Sequence, residues 1–303
     1  MTRCFSLTGS INWLYQISFS FSGLRPTVTD IGDGTVMHCW VPNNRNPNKP
    51  NILLIHGFGA NAIWQFDINT LRLFLPYFNI YVPDLLFFGG SHTIRPERSE
   101  SFQARCVMRL MEVIIGSSVE GLRVVGMSYG GFVAYSLAAQ FPASVERVVI
   151  CCAGVCLEED DLTNGLMKVS DLELAADILV PQTPEKMREL ISYTLVKKPI
   201  CLPSCLLWDF IQEMFKDRVE EKKDLLRAVA KDRKLSNLPK INQPTLILWG
   251  DQDQVFPVEL AYRLKRHLGD NAQLEIIKNT GHAFSMEKPK EFYRHLRSFL
   301  IHQ

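Results

Sequence analysis

The chain has 303 residues, of which 47% are apolar and 21% are charged. This composition is that of a globular protein of one or two domains, so a disordered or fibrous protein is excluded. The formal net charge is only +1, which argues against a nucleic-acid-binding protein because such proteins carry a strong basic excess. No apolar run reaches the roughly 18 residues that a membrane-spanning helix needs.

Residues 1–25 differ from the rest, since they contain no acidic residue and are rich in serine and threonine. Such a composition faintly resembles that of an organelle transit peptide. However, only Arg3 and Arg25 carry positive charge, and the apolar stretch 11–17 is interrupted by two amide side chains. We therefore expect a short leader that packs on the domain of a cytoplasmic protein. Cleavage of the leader during import into an organelle is the alternative.

From residue 26 onward, short strands alternate with helices. Two β-prone runs separated by Gly32-Asp33-Gly34 predict a hairpin. Further strands then alternate with helices of 10–15 residues, which is typical of parallel βαβ units, and several are apolar throughout, as strands buried on both faces are. The predicted strands are 27–31, 36–41, 51–55, 79–82, 122–126, 145–151, 244–249 and 273–277, and the predicted helices are 63–75, 99–115, 130–141, 258–267 and 289–301. The pattern therefore predicts one α/β domain with a mostly parallel sheet.

The alternation stops between residues 157 and 239. This stretch has no convincing strand, and its charged part at 216–234 has the composition of a solvated helix face. We expect a helical insertion at 157–239 that divides an α/β core formed by residues 26–156 and 240–303.

The eight cysteines form no C-x-x-C pair and no spacing typical of a zinc site. A domain of this size rarely depends on disulfides, so we expect reduced, mostly buried thiols. A bond between Cys201 and Cys205 in an oxidising compartment is the alternative. The cysteines are at positions 4, 39, 106, 151, 152, 156, 201 and 205.

The sequence G-M-S-Y-G at 126–130 follows an apolar strand and opens a helix. This is the setting of a nucleophile elbow, in which a strained turn presents a serine hydroxyl at the carboxyl edge of the sheet. Glycines flank the serine there because neighbouring backbone comes too close for side chains. The motif therefore predicts Ser128 as a nucleophile, with an ordinary glycine-rich turn as the alternative.

A serine hydroxyl needs a base and an acid that orients the base, and in this architecture they follow the serine in the order acid, then histidine. His282 lies on a loop after a late strand, beside a glycine. Asp251 and Asp253 both follow the strand before it. Asp251 is placed to cap the turn, a common role of aspartate, whereas Asp253 lies further from the strand end and can reach His282. We favour Asp253 and keep Asp251 as the alternative.

The sequence H-G-F-G at 56–59 directly follows another apolar strand. Acyl transfer builds negative charge on the carbonyl oxygen, and backbone N–H groups must already point at that oxygen. In hydrolases with a nucleophile elbow, the loop after this early strand supplies one donor and the residue after the nucleophile supplies the other. We therefore predict an oxyanion hole formed by the amides of Phe58 and Tyr129. For H-G-F-G alone, a tight turn is the alternative.

Taken in order, five motifs resemble those of the α/β-hydrolase fold superfamily. Within it the chain resembles the branch of monoacylglycerol lipases and meta-cleavage-product hydrolases, and it looks most similar to poorly characterised plant members. The resemblance covers about residues 26–155 and 240–301. It implies an eight-stranded, mostly parallel sheet with a helical lid, and a triad of Ser128, Asp253 and His282 without metal or organic cofactor. The motifs are H-G-F-G at 56–59, P-D-L-L-F-F-G-G-S at 83–91, G-M-S-Y-G-G at 126–131, G-D-Q-D-Q-V-F-P at 250–257 and G-H at 281–282.

Some residues depart from the family pattern, and others exclude particular activities that occur within the superfamily. Segment 84–91 lacks the usual proline and single large residue before its glycine, and Asp84 in it matches a structural position. Ser128 argues against epoxide hydrolases and haloalkane dehalogenases, which need a carboxylate nucleophile. Ala283 follows the histidine, whereas the carbon–carbon bond hydrolases of this superfamily typically have tryptophan at that position, so this residue argues against carbon–carbon bond cleavage.

The sequence therefore predicts a serine carboxylester hydrolase that acts on a small or medium apolar ester through an acyl-enzyme. Residues 157–239 are expected to cover Ser128 as a lid. Apolar runs at 178–180 and 202–211 then line an acyl-chain pocket and make transient membrane contact, unless they only pack within the lid. A small-molecule receptor that signals through its lid and a carbon–carbon bond hydrolase are the alternatives. The oligomeric state is not predicted.

Overall fold

The computed structural model describes residues 6–116, 119–164, 167–199 and 202–301. Its centre is a nine-stranded sheet flanked by helices. The strands are β1 (Leu24–Gly32), β2 (Thr35–Pro42), β3 (Asn51–Ile55), β4 (Asn79–Pro83), β5 (His92–Thr93), β6 (Leu122–Met127), β7 (Val145–Cys151), β8 (Thr245–Gly250) and β9 (Ala272–Ile277). The helices are α1 (Leu7–Phe21), α2 (Ala62–Gln65), α3 (Ile68–Phe74), α4 (Glu100–Ile115), α5 (Tyr129–Gln140), α6 (Asp160–Thr163), α7 (Leu172–Leu179), α8 (Pro184–Thr194), α9 (Ser204–Met214), α10 (Val219–Ala230), α11 (Glu259–Leu268), α12 (Phe284–Glu287) and α13 (Pro289–Ile301).

The strand order is β1-β2-β4-β3-β6-β7-β8-β9, and every pair from β4 to β9 along this order is parallel. The mostly parallel sheet is thus confirmed, but the count of eight strands is wrong. The ninth strand, β5, is two residues long and pairs with β2, where the Thr35 and Thr93 hydroxyls lie 2.7 Å apart. Two residues are too few to show a period in the sequence.

The parallel strands at the centre are covered on both faces. Every residue of β3, β4 and β8 is buried, as the uninterrupted apolar runs predicted. The order of the strands places β3 beside β6, and β8 beside β9. The loops that follow these strands therefore meet at one edge of the sheet, the place where open α/β sheets hold their sites.

Most of the described part of the leader forms α1, which packs against α9 and α2, and β1 begins at Leu24 within the leader. The Ser6 hydroxyl caps the helix by accepting a hydrogen bond from Gly9 N at 2.9 Å. Phe19 is fully buried, with its ring 5.2 Å from that of Trp40. Within the described residues, no helix has both the length and the apolarity that are needed to cross a bilayer.

Between β7 and β8 the described residues form helices α6 to α10 and no strand. We call residues 157–239 the lid. The lid has a small apolar core of its own, which includes Ile211 and Phe215. Charged contacts attach it to the sheet domain: Arg233 donates to Glu100 at 2.6 Å, and Arg263 donates to both carboxylate oxygens of Asp161.

Six cysteines lie among the described residues. Five of them are buried, and Cys205 is exposed. Burial raises the pKa of the Cys151 and Cys152 thiols well above the ordinary value, so both are neutral thiols at physiological pH. Cys4 and Cys201 lie outside the described residues, and so does the predicted alternative of a bond between Cys201 and Cys205.

Candidate active site

Ser128 stands in a sharp turn between β6 and α5, with a φ of 52° and a ψ of −122°. A positive φ is costly for a residue with a side chain, so the surroundings must hold the turn. A Cβ added at Gly126 would lie 2.3 Å from the carbonyl oxygen of Gly130, and one added at Gly130 would lie 2.3 Å from that of Ile55. Only glycine fits at either position, as the motif predicted.

His282 lies between β9 and α12, 154 residues from Ser128 in sequence. Its Nε2 is 2.9 Å from Ser128 Oγ, and its Nδ1 is 2.8 Å from Asp253 Oδ2. The structure thus brings the three predicted residues together in one hydrogen-bonded line.

Asp253 and Asp251 have different surroundings. The Asp253 side chain is fully buried, and its Oδ1 accepts hydrogen bonds from Val255 N at 2.8 Å and Phe256 N at 2.9 Å. These two amides fix the carboxylate so that Oδ2 faces the histidine. Asp251 instead accepts from Thr280 N at 3.3 Å, in the turn itself. The structure therefore places Asp253, and not Asp251, against His282.

The loop after β3 lies directly against the nucleophile. A Cβ added at Gly57 would lie 2.8 Å from Ser128 Cβ and 2.7 Å from the carbonyl oxygen of Met127. The next residue, Phe58, packs its ring edge-on against that of Tyr129, with centroids 5.1 Å apart. The Tyr129 amide is in the first turn of α5, where an N–H has no acceptor within the helix. Both residues predicted to supply oxyanion donors are thus beside Ser128.

The side chain of His56 fixes the loop after β3 through two hydrogen bonds. The ring is fully buried, and its Nε2 accepts a hydrogen bond from Leu85 N at 2.9 Å. Because Nε2 is an acceptor, Nδ1 carries the proton and donates it to the carbonyl oxygen of Gly57 at 2.7 Å. The neutral ring therefore joins the loop after β3 to the loop after β4.

Asp84 completes this connection, in the structural role that the resemblance implied. Its buried carboxylate accepts hydrogen bonds from His38 Nδ1 at 2.8 Å and Ala62 N at 2.9 Å. Gly89 has a φ of 47° and no room for a Cβ beside Asp84. Phe88 of the same segment packs edge-on against Phe58 at 5.1 Å, so segment 84–91 supports the loop that carries Phe58.

The buried His56 predicts a specific dependence of stability on pH. Burial lowers the pKa of His56 below the ordinary value of 6.5, although Asp84 opposes this shift. Below about pH 6.5 His56 therefore binds a proton in the unfolded chain but stays neutral in the folded chain. We expect the free energy of unfolding to fall as the pH decreases, by up to about 1.4 kcal/mol per pH unit. Urea denaturation between pH 5 and 8 measures this slope.

His56→Gln is the control variant, because glutamine keeps a donor and an acceptor but does not titrate. It should be less stable than the wild type and show a shallower slope below pH 6.5. The lowered pKa of Asp84 acts mainly below its ordinary value of 3.8, outside this range. Equal slopes for both proteins would contradict the assignment.

A cavity of about 930 Å³ opens onto Ser128 and His282. Its walls are mainly apolar and come from the sheet loops, the lid and α1. The contribution of α1 was not predicted, although Leu7 and Ile11 are four residues apart and so share one face of a helix. The apolar lining includes Leu7, Ile11, Trp64, Leu179, Met187, Leu190, Ile191, Leu202, Leu206, Leu207, Phe210 and Met286.

Cys152, Asp253 and His282 offer ligand atoms that lie within 4.8 Å of one another. Such a group can in principle hold a metal ion. However, Asp253 Oδ2 and His282 Nδ1 bond to each other directly. These two ligand atoms are thus already paired, so the donor set fits a hydrogen-bonded triad better than a metal centre.

Glu287 connects the histidine loop to the lid. One carboxylate oxygen accepts hydrogen bonds from Val196 N at 3.0 Å and Lys197 N at 2.9 Å, and the other accepts from Gly281 N at 2.7 Å. On the other side of the histidine, Ala283 N donates to the Thr194 carbonyl at 2.9 Å. No sequence pattern indicated this role, because the partners are backbone amides and two of them are about 90 residues away in the chain.

Replacing Glu287 by Ala should therefore impair catalysis as well as stability. Three backbone N–H groups lose their acceptor, which costs about 1–3 kcal/mol of unfolding free energy. A displaced His282 loop should lower kcat on the order of 10- to 100-fold, since small misplacements of catalytic groups have effects of that size. Steady-state kinetics on a soluble ester and thermal melting measure both effects. Glu291→Ala is the control, because Glu291 forms a surface ion pair with Lys288 at 3.3 Å and bonds to none of these three amides.

Comparisons with known proteins are consistent with this geometry. A family model for the alpha/beta hydrolase fold matches residues 50–289. Monoacylglycerol lipase ABHD6 of Bos taurus is 29% identical over 276 residues, which are 86% of this chain and 78% of that protein. Lipase 3 of Moraxella sp. (strain TA144) is 27% identical over 267 residues, 84% of this chain and 79% of that protein.

Two solved structures show the same fold. A lipase structure from Acinetobacter baumannii AYE, described as putative in its own report, has a TM-score of 0.79 and 23% identity, covering 96% of this chain and 95% of that one. The meta-cleavage product hydrolase CumD from Pseudomonas fluorescens IP01 has a TM-score of 0.70 and 20% identity, covering 92% and 98%. Both groups of the predicted branch are thus found among the similar proteins, while the greater likeness to plant members stays a prediction.

Proposed function

This chain belongs to the alpha/beta hydrolase fold family, and from that premise we propose that it is a serine hydrolase of apolar carboxylic esters. One observation carries the proposal: Ser128 Oγ, His282 and Asp253 form a continuous hydrogen-bonded line at the wall of a large apolar cavity. Nucleophile, base and orienting acid are the three groups that acyl transfer requires.

In the proposed mechanism, His282 Nε2 takes the proton of Ser128 as the hydroxyl oxygen attacks the ester carbonyl. Asp253 keeps the proton on Nδ1 and stabilises the imidazolium that forms. The amides of Phe58 and Tyr129 hold the oxyanion, and each lowers the barrier by about 3 kcal/mol. His282 then protonates the leaving alcohol. A water activated by the same histidine releases the acid from the acyl-enzyme.

The proposed substrates are neutral esters with an apolar acyl chain. A cavity of about 930 Å³ with mainly apolar walls is at the upper end of the usual range for small-molecule sites. Two curated relatives are named as a monoacylglycerol lipase and a lipase. A monoacylglycerol combines an apolar chain with a small alcohol, so it is the substrate class that we propose.

The proposal includes transient contact with a lipid surface. On α1 the side chains of Trp13 and Leu14 are 59% and 54% exposed, and on α9 those of Leu206 and Trp208 are 40% and 48% exposed. Helices with exposed apolar side chains bind at the boundary between water and lipid. Because α1 and α9 also line the cavity, this contact would bring lipid to its mouth. Cosedimentation with phosphatidylcholine vesicles should weaken in a Trp13→Ser, Trp208→Ser variant.

A series of p-nitrophenyl esters from C2 to C16 tests the function. We expect many turnovers per enzyme molecule, with a preference for acyl chains longer than acetyl. A single turnover with retained product would overturn the proposal in favour of a receptor. Little ester turnover, together with loss of the chromophore of a meta-cleavage dienol, would overturn it in favour of a carbon–carbon hydrolase.

A further inference from the structure

A second cavity lies between the lid and the loop after β8. It has a volume of about 90 Å³, and its walls are almost entirely apolar. Helices α7 and α10 supply Ala175, Ile178, Leu226 and Val229, and the loop supplies Phe256. We call this space the tail cavity. Engineered apolar cavities of about 150 Å³ bind molecules as small as benzene, so a space of this size admits the end of an alkyl chain and no headgroup.

The tail cavity adjoins the cavity that contains Ser128. Leu179 and Leu190 line both spaces, so the two cavities share these residues in their walls. Leu179 is the last residue of α7, and Leu190 is in the second half of α8. Both are only partly buried. Leucine side chains occupy several staggered rotamers, so a change of rotamer at these two shared residues can join the two spaces.

We propose that the tail cavity binds the terminal carbons of the substrate's acyl chain, which reaches it between Leu179 and Leu190. This inference rests on the proposed ester hydrolysis at Ser128. The ester carbonyl must lie at Ser128, so the far end of a long chain must extend away from it. An apolar space that adjoins the main cavity favours methylene groups over water, because its walls offer water almost no hydrogen-bond partner.

The proposal predicts how activity depends on chain length. Each methylene that enters apolar surroundings contributes roughly a three- to fourfold gain in kcat/KM, if its burial is fully used in the transition state. The gain should continue for chains that reach past Leu179 and Leu190. Filling the tail cavity should remove the gain for those chains only.

Ala175→Phe tests the proposal by filling the tail cavity from α7. The matched control is Leu174→Phe, which adds the same side chain to the same helix, at an exposed position that does not line the cavity. Within each protein we compare kcat/KM for C12 and C4 p-nitrophenyl esters, so that a difference in the amount of folded protein cancels. We expect Ala175→Phe to lower the C12/C4 ratio at least tenfold and Leu174→Phe to leave the ratio unchanged.

An unchanged C12/C4 ratio in Ala175→Phe would overturn the proposal that the tail cavity binds the acyl chain, while the proposed ester hydrolysis would stand. If Ala175→Phe does not fold, Ala230→Leu fills the same space from α10 and decides by the same ratio. A wild type that hydrolyses no ester would overturn the proposed function instead. Calorimetric titration with lauric acid would then test the tail cavity separately. If the alkyl chain occupies this cavity, the wild type must bind lauric acid more tightly than Ala175→Phe does, and equal affinities would overturn the proposal.

Discussion

Replacing Ser128 by Ala is expected to reduce kcat for ester hydrolysis by roughly 10⁶-fold, the size of effect that loss of a serine nucleophile has in other hydrolases. No other hydroxyl in the described structure is bonded to His282 Nε2. Without Oγ no acyl-enzyme forms, and only binding and the oxyanion donors remain. The substitution removes one oxygen at the wall of the cavity and leaves the turn unchanged, so the melting temperature should change little. Fluorophosphonate labelling, read by intact-protein mass, should disappear.

Ser285→Ala is the matched control for this experiment. Ser285 lines the same cavity, so a reagent that merely accumulates there has equal access to its hydroxyl. The control should keep its labelling, because a serine without a bonded base is a poor nucleophile. Labelling that persists in Ser128→Ala and disappears in Ser285→Ala would show that the nucleophile was assigned to the wrong serine.

Asp253→Asn is expected to lower kcat by about 10⁴-fold, as the same substitution does in a serine protease triad. The amides of Val255 and Phe256 bond to Oδ1, so they would hold the asparagine oxygen at that position. The asparagine NH₂ group would then face His282 Nδ1 and force the ring proton onto Nε2. A histidine protonated there cannot take the proton of Ser128. The rate of fluorophosphonate labelling should fall together with kcat.

Asp251→Asn serves as its counterpart, since it makes the same change at the acid that the sequence left as the alternative. Asp251 accepts from Thr280 N, and an asparagine oxygen can accept that bond as well. We expect kcat to stay within about threefold of the wild type, because the substitution preserves the acceptor. A larger loss of kcat in Asp251→Asn than in Asp253→Asn would show that Asp251, and not Asp253, is the acid of the triad.

The fold was predictable because its main signals are local. Apolar runs marked the buried strands, and the glycines at 126 and 130 marked a turn that permits no side chain. The ninth strand escaped prediction because it has only two residues, His92 and Thr93, and depends on pairing with β2. The assignment of the oxyanion donors and the triad stays a prediction, to be decided by the substitutions above.

Other parts of the site depend on contacts between distant segments, which no local pattern reveals. Glu287 resembles an ordinary helix-surface glutamate in the sequence, yet its carboxylate accepts bonds from Val196, Lys197 and Gly281. The choice between Asp251 and Asp253 depended on reach, which only three-dimensional geometry can measure. In the same way, the leader gave no indication that it would face the nucleophile.

The position of α1 gives the alternative of leader cleavage a consequence for the chemistry at Ser128. Leu7, Thr8 and Ile11 form part of the wall around Ser128. If a protease removed the first 25 residues during import into an organelle, the mature enzyme would have a wider, wetter pocket than its precursor. The precursor and the mature form would then select different esters.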